Sequence, residues 1–282
     1  MRFKKEILKS PFFMLLIIVV IIVFGFIFVE LLTTEQTNNE EIILEEKIQL
    51  APHDNMDLKY LYGDEHLKYE DDEYSSMFGI DVAAHQDVID WQKVKEAGVE
   101  FAYIRVGYRS AINGALMQDI KFYRNYKGAL ENGIKIGIYW YSQPINEREA
   151  KQEADYVLSI IENMKIDLPI AYDFEETTFA DGRLSRMNGM SKEDRTKMAK
   201  TFCDEIKKHN YDAMIYSNLY WADAYYDWDV LSDYPIWFAQ FAKYPRFEKP
   251  FAMWQYTENG RIDGIDRSVD FNLLFIRKND QN

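Results

Sequence analysis

An apolar run ends in two acids one residue apart, Leu168-Pro169-Ile170-Ala171-Tyr172-Asp173-Phe174-Glu175. A β-strand repeats its side-chain direction every second residue, so Asp173 and Glu175 project from one face, roughly 6.5 to 7 Å apart at Cα. Two carboxyls held that close cannot both ionise freely. One keeps its proton near neutral pH and serves as a general acid, while the other stays anionic. Hydrolysis of a glycosidic bond needs this division of labour. A lone D-x-E is also what a strand end facing water looks like, so the elements around it have to decide.

Those elements read as strands alternating with amphipathic helices. Candidate strands are Phe78 to Val82, Phe101 to Gly107, Lys135 to Tyr141, Leu168 to Glu175, Ala213 to Ser217, Ile236 to Phe241, Ala252 to Tyr256 and Ser268 to Leu273. Helical patterns cover Trp91 to Ala97, Gln118 to Asn132, Glu147 to Asn163 and, after a Ser191 cap, Lys192 to His209; a shorter one lies near Leu219 to Tyr226. This alternation predicts parallel βαβ units, and eight strands is the count of a closed barrel. After about residue 217 the gaps shorten, so the last three strands lack full helices.

In a β/α barrel the reactive end lies at the C-terminal ends of the strands. Asp81 closes the first candidate strand, Asp173 and Glu175 the fourth, and Asp270 lies on the last, which closure brings beside the first. The expected catalytic cluster is therefore Glu175, Asp173, Asp81 and Asp270. Tyr139, Tyr141, Trp237, Trp254 and Tyr256, with Gln255 between the last two, are candidates for sugar binding. Sugar rings present C–H faces that pack on aromatic planes while amides bind their edges. Strand aromatics are more often core, and alternation allows only part of each trio to line a groove.

These residues resemble the family 25 glycoside hydrolases, the lysozymes of the Chalaropsis type that cut peptidoglycan between N-acetylmuramic acid and N-acetylglucosamine. The likeness runs from about Phe78 to Phe275. It rests on Gly79-Ile80-Asp81-Val82, His85-Gln86, Ile89-Asp90-Trp91, Ile104-Arg105, Gly137-Ile138-Tyr139, Asp173-Phe174-Glu175, Tyr216-Ser217, Trp254-Gln255-Tyr256 and Val269-Asp270-Phe271-Asn272, in that order. The resemblance implies that Glu175 is the general acid/base, Asp173 its carboxylate partner, and Asp81 and Asp270 the remaining acids; Arg105 joins the substrate-binding set. It also implies an α/β fold, an irregular β/α barrel of five β/α units plus three strands, and hydrolysis with net retention. Ala83 and Asp87 stand where the family commonly has Ser and Gly, so the first loop is expected to differ in shape. A chitinase-like barrel also ends its motif in D-x-E, but Ala171 replaces the central acid that such a site needs. A membrane-tethered wall-binding or scaffold protein without turnover is the alternative outside enzymes.

The chain opens with Arg2, Lys4, Lys5 and Lys9 and then runs from Phe12 to Val29 without a polar side chain. As a helix those residues rise about 27 Å, close to the roughly 30 Å of a hydrocarbon core. The expectation is one transmembrane helix over 12–32, a cytoplasmic N-terminus over 1–11 and an exported remainder, because the basic residues precede the apolar run. A cleaved signal peptide is the rival, though no Ala-x-Ala follows. Between 33 and 76 the acids far outnumber the three lysines, and most of the net charge of −14 sits there. This stretch is expected to be an extended acidic linker, with a random-coil reach of roughly 35 to 40 Å, in which the short apolar patches Ile42 to Leu44 and Leu58 to Leu61 are open to docking on the domain. The barrel domain then spans 77–277 and a tail 278–282. Peptidoglycan and the membrane are the expected partners, with any membrane-protein partner unspecified. The rest of the chain is only mildly acidic, which argues against nucleic acid. The single Cys203 sits in a helical core pattern and allows no internal disulfide; the four histidines show no metal-ligand spacing. Neither metal nor cofactor is expected.

Overall fold

The computed structural model describes residues 48, 50, 53 and 56–278. A small hairpin, β1 (Leu61–Tyr62) and β2 (Lys68–Tyr69), precedes β3 (Tyr74–Val82). Then follow α1 (Trp91–Glu96), β4 (Phe101–Arg109) with a return strand β5 (Leu116–Gln118), α2 (Phe122–Glu131), β6 (Lys135–Ser142), α3 (Glu147–Ile160), β7 (Ile170–Phe174), α4 (Lys192–Lys208), β8 (Ala213–Asn218), α5 (Leu219–Tyr225) and β9 (Ile236–Ala239). A long hairpin of β10 (Met253–Ile262) and β11 (Ile265–Arg277) completes the order. Among the described residues eight of these strands close a barrel in the order β3, β4, β6, β7, β8, β9, β10, β11 and back to β3. Neighbours run parallel except where β11 pairs antiparallel with β10 and β3. The rule of parallel units therefore fails at the last strand. With only Asp263 and Gly264 between β10 and β11, no crossover helix fits, and a tight turn can join only antiparallel neighbours.

Alternation along each strand builds two cores. Phe101, Tyr103, Tyr139, Ala171, Met214 and Trp237 fill the barrel interior. Ala102, Ile104, Trp140, Tyr172, Ile215 and Phe238 face the other way, into a larger core with the helices. The interior is tight enough to dictate glycine at Gly137, where an added Cβ would lie 2.6 Å from the Tyr103 ring. Helix starts follow side-chain caps: Asp90 accepts from the Lys93 amide, Asn146 from Glu149 and Ser191 from Asp194. Some boundaries differ from expectation. Residues 116–118 return along β4 as β5 before α2 begins, and β7 ends at Phe174, leaving Glu175 beyond the ladder.

Of the expected linker 33–76, residues 48, 50, 53 and 56–76 are described and lie against the barrel; the others lie outside the described residues. Leu50 bridges Ile276, and Ile48 and Leu50 pack against the interior core beside the starting end of β3, at the barrel floor. His53 bridges Phe251; it is buried with Tyr69, whose hydroxyl donates to Asp71 at 2.6 Å. Asp71 also accepts from the Glu73 and Tyr74 amides, turning the chain into β3. Higher up, the Tyr256 hydroxyl donates to the Glu65 carbonyl and accepts from the Leu67 amide, while the His66 ring stacks on Phe78. These residues form a strap over the outer faces of β3, β10 and β11. The cause lies in the missing helices: Phe78, Tyr256, Phe271 and Phe275 would otherwise face water, and burying one such ring is worth roughly 2 kcal/mol. The expected spans 1–11 and 12–32 lie outside the described residues, as does most of the tail. Among the described residues no helix is long and apolar enough to cross a membrane.

Candidate active site

Three strands deliver four acids to one mouth. Asp81, the penultimate residue of β3, pairs with Asp270 of β11 on one side and with Tyr103 of β4 on the other. Asp173, the penultimate residue of β7, lies between Tyr141 of β6 and Tyr216 of β8. Glu175 follows two residues later. All four line a cleft of about 550 Å³. Asp270 reaches it from the first half of an antiparallel strand rather than from a strand's C-terminal end, because β11 runs from mouth to floor.

The acids form two couples. Asp81 Oδ2 accepts from Asn272 Nδ2 at 2.8 Å and from Gln255 Nε2 at 2.9 Å, and the same amide reaches Asp270 Oδ2 at 3.4 Å. Burial raises the pKa of Asp81, but these donors and a hydrogen bond with Asp270 oppose the shift. Asp270 is pushed up to about 9 by burial and then by the charge of Asp81. Asp270 therefore keeps its proton near neutral pH, and Asp81, bound by the Asn272 and Gln255 amides, is the better stabilised anion of the two. The second couple is Asp173 and Glu175, whose carboxyls lie within hydrogen-bonding reach of one another. Burial, then repulsion from Glu175 and Asp81, raises Asp173 well above the usual carboxylate range. Burial, then the charge of Asp81, raises Glu175 to about 7. A transferable proton is thus stored between Asp173 and Glu175 at the pH where an ordinary carboxylic acid has lost its own.

Aromatic packing and amide bonds hold this arrangement. Trp237 sits at the barrel centre with Tyr103, Tyr139 and Tyr216 at ring-centroid distances of 4.8, 6.0 and 5.2 Å. Its Nε1 donates to Asn272 Oδ1 at 2.9 Å, which turns the Asn272 amide donor toward Asp81. The Tyr216 hydroxyl orients Gln255 in the same way, at 3.3 Å. Asn272 and Tyr216 are site residues missing from the expected set. Their signal was present, since Asn272 lies two residues after Asp270 and so shares its face, but an amide or phenol in a strand carries no distinctive spacing. At the rim, Tyr220 and Phe241 are 86% and 51% exposed and border the same cleft. Exposed rings beside a polar cleft suit a flat sugar face.

The expected binding residues divide. Tyr139, Trp237 and Gln255 line the cleft. Trp254 and Tyr256 do not. Alternation sends Met253 and Gln255 inward, so Trp254 and Tyr256 point outward. There Trp254 Nε1 donates to the Gln240 carbonyl at 3.0 Å and Tyr256 holds the strap. Tyr141 stands behind the acids, with its hydroxyl 2.5 Å from Thr177 Oγ1 and 3.4 Å from the Glu175 carbonyl. The Arg105 guanidinium is engaged by Asp119 at 2.8 and 2.9 Å. Asp119 also accepts from the Ala84 amide, so this pair fixes the loop after Asp81, while the positive charge opposes the upward shift of Asp173. Among the described residues no group of three or more His, Cys, Asp or Glu side chains has metal-holding geometry.

The sequence model of the family described as Glycosyl hydrolases family 25 matches residues 80–265. The chain is 27% identical over 197 residues to the autolytic lysozyme of Clostridium acetobutylicum, a match covering 69% of this chain and 54% of that protein. It is 29% identical over 208 residues to Lysozyme M1 of Streptomyces globisporus, covering 70% and 67% respectively. The chain thus spans about half the length of the clostridial relative. Among solved structures, a family 25 glycosyl hydrolase from Bacillus anthracis is similar with a TM-score of 0.60 at 23% identity, covering 76% of this chain and 94% of that one. At that identity the likeness speaks to fold alone.

Proposed function

Because the chain belongs to glycosyl hydrolases family 25, we propose that it is a muramidase that cleaves the β-1,4 bond between N-acetylmuramic acid and N-acetylglucosamine in peptidoglycan. The observation that carries this reading is the buried pair Asp173 and Glu175 in one cleft with Asp81, whose carboxylate accepts from two side-chain amides. Glu175 protonates the departing glycosidic oxygen, and positive charge growing on the sugar is met by the anionic acids. Net retention is the outcome we favour. Opposed carboxyls of an inverting site stand about 6.5 to 9.5 Å apart with a water between them, and direct attack needs about 5 to 5.5 Å. Asp173 and Glu175 instead share a hydrogen bond, with no water between them. Asp173 also has a buried oxygen, Oδ1, with no hydrogen-bond partner among the described residues. Such an acceptor suits the N–H of the substrate's 2-acetamido group, and would aim that group's oxygen at the anomeric carbon.

Residues 12–32 carry the second part of the proposal, a single-pass anchor with its N-terminus in the cytoplasm and the barrel outside the cell. The uninterrupted apolar run and the basic residues before it support that orientation. Cleavage is then confined to nearby wall, which suits local remodelling. Retention of the full chain in washed membranes, with the barrel open to protease added outside spheroplasts, is the expected result; recovery of a shortened soluble form would refute anchoring.

The chemistry is tested by incubating the protein with purified peptidoglycan and sequencing the released muropeptides by mass spectrometry. New reducing N-acetylmuramic acid ends are expected. Glu175→Gln should lower their release by several orders of magnitude while binding to the wall persists, because the shape remains and the proton is gone. Wall binding by the parent without new reducing ends would instead establish the wall-binding scaffold, and parental turnover in the Gln variant would refute the assignment of Glu175.

A further inference from the structure

The acid central to the proposed reaction stands where no ladder holds it. The last β6–β7 pair is Ser142 with Phe174, and the last β7–β8 pair is Asp173 with Tyr216. A residue past the end of a strand is free to shift by an ångström, and misplacing a reacting group by that much can cost about a hundredfold in rate. The carbonyl of Glu175 is nevertheless bound: Gln143 Nε2 donates to it at 2.7 Å. Gln143 follows directly after β6, so its side chain supplies the rung that the two backbones no longer form.

Gln143 is itself immobilised. It is fully buried, its backbone amide donates to Glu153 Oε1 at 3.2 Å, and its backbone carbonyl accepts from Arg186 at 3.4 Å. Glu153, on α3 and also fully buried, is bound by the Ser142 hydroxyl and, at 2.6 Å, by Arg109. On the far side of Glu175, the side chain of Glu176 is bound by Arg195. We propose that Gln143 is a positioning residue for the general acid: by bonding the Glu175 carbonyl from a frame clamped on α3, it sets where the Glu175 carboxyl meets the scissile oxygen. The inference rests on the muramidase reading and adds to it a residue that touches no substrate.

The test compares the parent with Q143M, which keeps length and volume but cannot donate, and Q143E, which donates only when protonated. Soluble glycan strands are the substrate, and kcat and KM are followed from pH 4.5 to 8.5. For Q143M we expect kcat to fall 10- to 100-fold with KM within twofold. The alkaline limb of its profile should move to lower pH, because a loosened Glu175 is better solvated. For Q143E the activity relative to parent should fall as pH rises. Q143M with parental kcat and limb would overturn the proposal, as would a loss that tracks only the folded fraction measured by circular dichroism. If Q143M does not fold, a Q143E fraction that is flat with pH would overturn it equally. Failure of the parent to release reducing ends would refute the muramidase reading instead, so the two outcomes are distinct.

Discussion

Glu175 holds its proton because water is kept from it and Asp81 repels its charge, and the same two causes predict how the protein answers to pH. Its pKa rises from an ordinary 4.5 to about 7. The acid form is therefore lost as pH climbs through about 7, and the alkaline limb of kcat/KM should fall there, measured on soluble glycan between pH 5 and 9. Stability follows the same sign. The folded chain binds more protons than the unfolded one between about pH 4.5 and 7, so the contribution of this group is full below that window and declines as pH rises through it. Glu175→Gln should thus be more stable than the parent at pH 8, by on the order of 2 kcal/mol, with the difference shrinking at pH 5; urea titrations at both values measure it. An equal difference at both values would contradict the shift. Trp237→Phe tests the neighbouring couple. It places a smaller ring among Tyr103, Tyr139 and Tyr216 and removes the donor to Asn272, leaving the amide that serves Asp81 free to turn, and a fall in kcat of about tenfold is expected.

Elements explain which residues could be found from sequence. Acids at strand ends were legible because a period of two and the closure of a barrel both act on position alone; they bring Asp81, Asp173 and Glu175 to one cleft, where Asp270 joins them from within β11. The same period misassigns Trp254 and Tyr256 only when three consecutive residues are taken together, since alternate side chains of one strand cannot share a face. The antiparallel course of β11 was hidden, because an apolar strand reads the same in either direction. The strap was only partly legible: the apolar patch Leu58 to Leu61 marks it, but Tyr69 and His53, which go inside, sit among acids that a charge count sees first. Tyr256→Phe isolates this element. Losing both hydroxyl bonds should speed hydrogen exchange over residues 61–69 and cost about 1 kcal/mol, with kcat and KM on glycan unchanged. A rise in KM would return Tyr256 to the substrate.

At the scale of the molecule the strap completes the barrel. Five β/α units carry their own outer layer, whereas β10, β11 and the adjoining face of β3 borrow theirs from residues upstream of the first strand. A chain beginning at Ile48 should therefore unfold at a clearly higher temperature than one beginning at Glu73, which leaves Phe78, Phe271 and Phe275 uncovered and should expose apolar surface to a dye such as ANS. Equal melting temperatures would show the strap to be ornamental. Its entry point has a mechanical corollary. The strap meets the barrel at Leu50 and His53, on the floor, while the acids occupy the opposite end of the same strands. Tension transmitted from the N-terminal side would load those two bridges first and peel them rung by rung, leaving the quartet of acids unstrained until the anchorage below had given way.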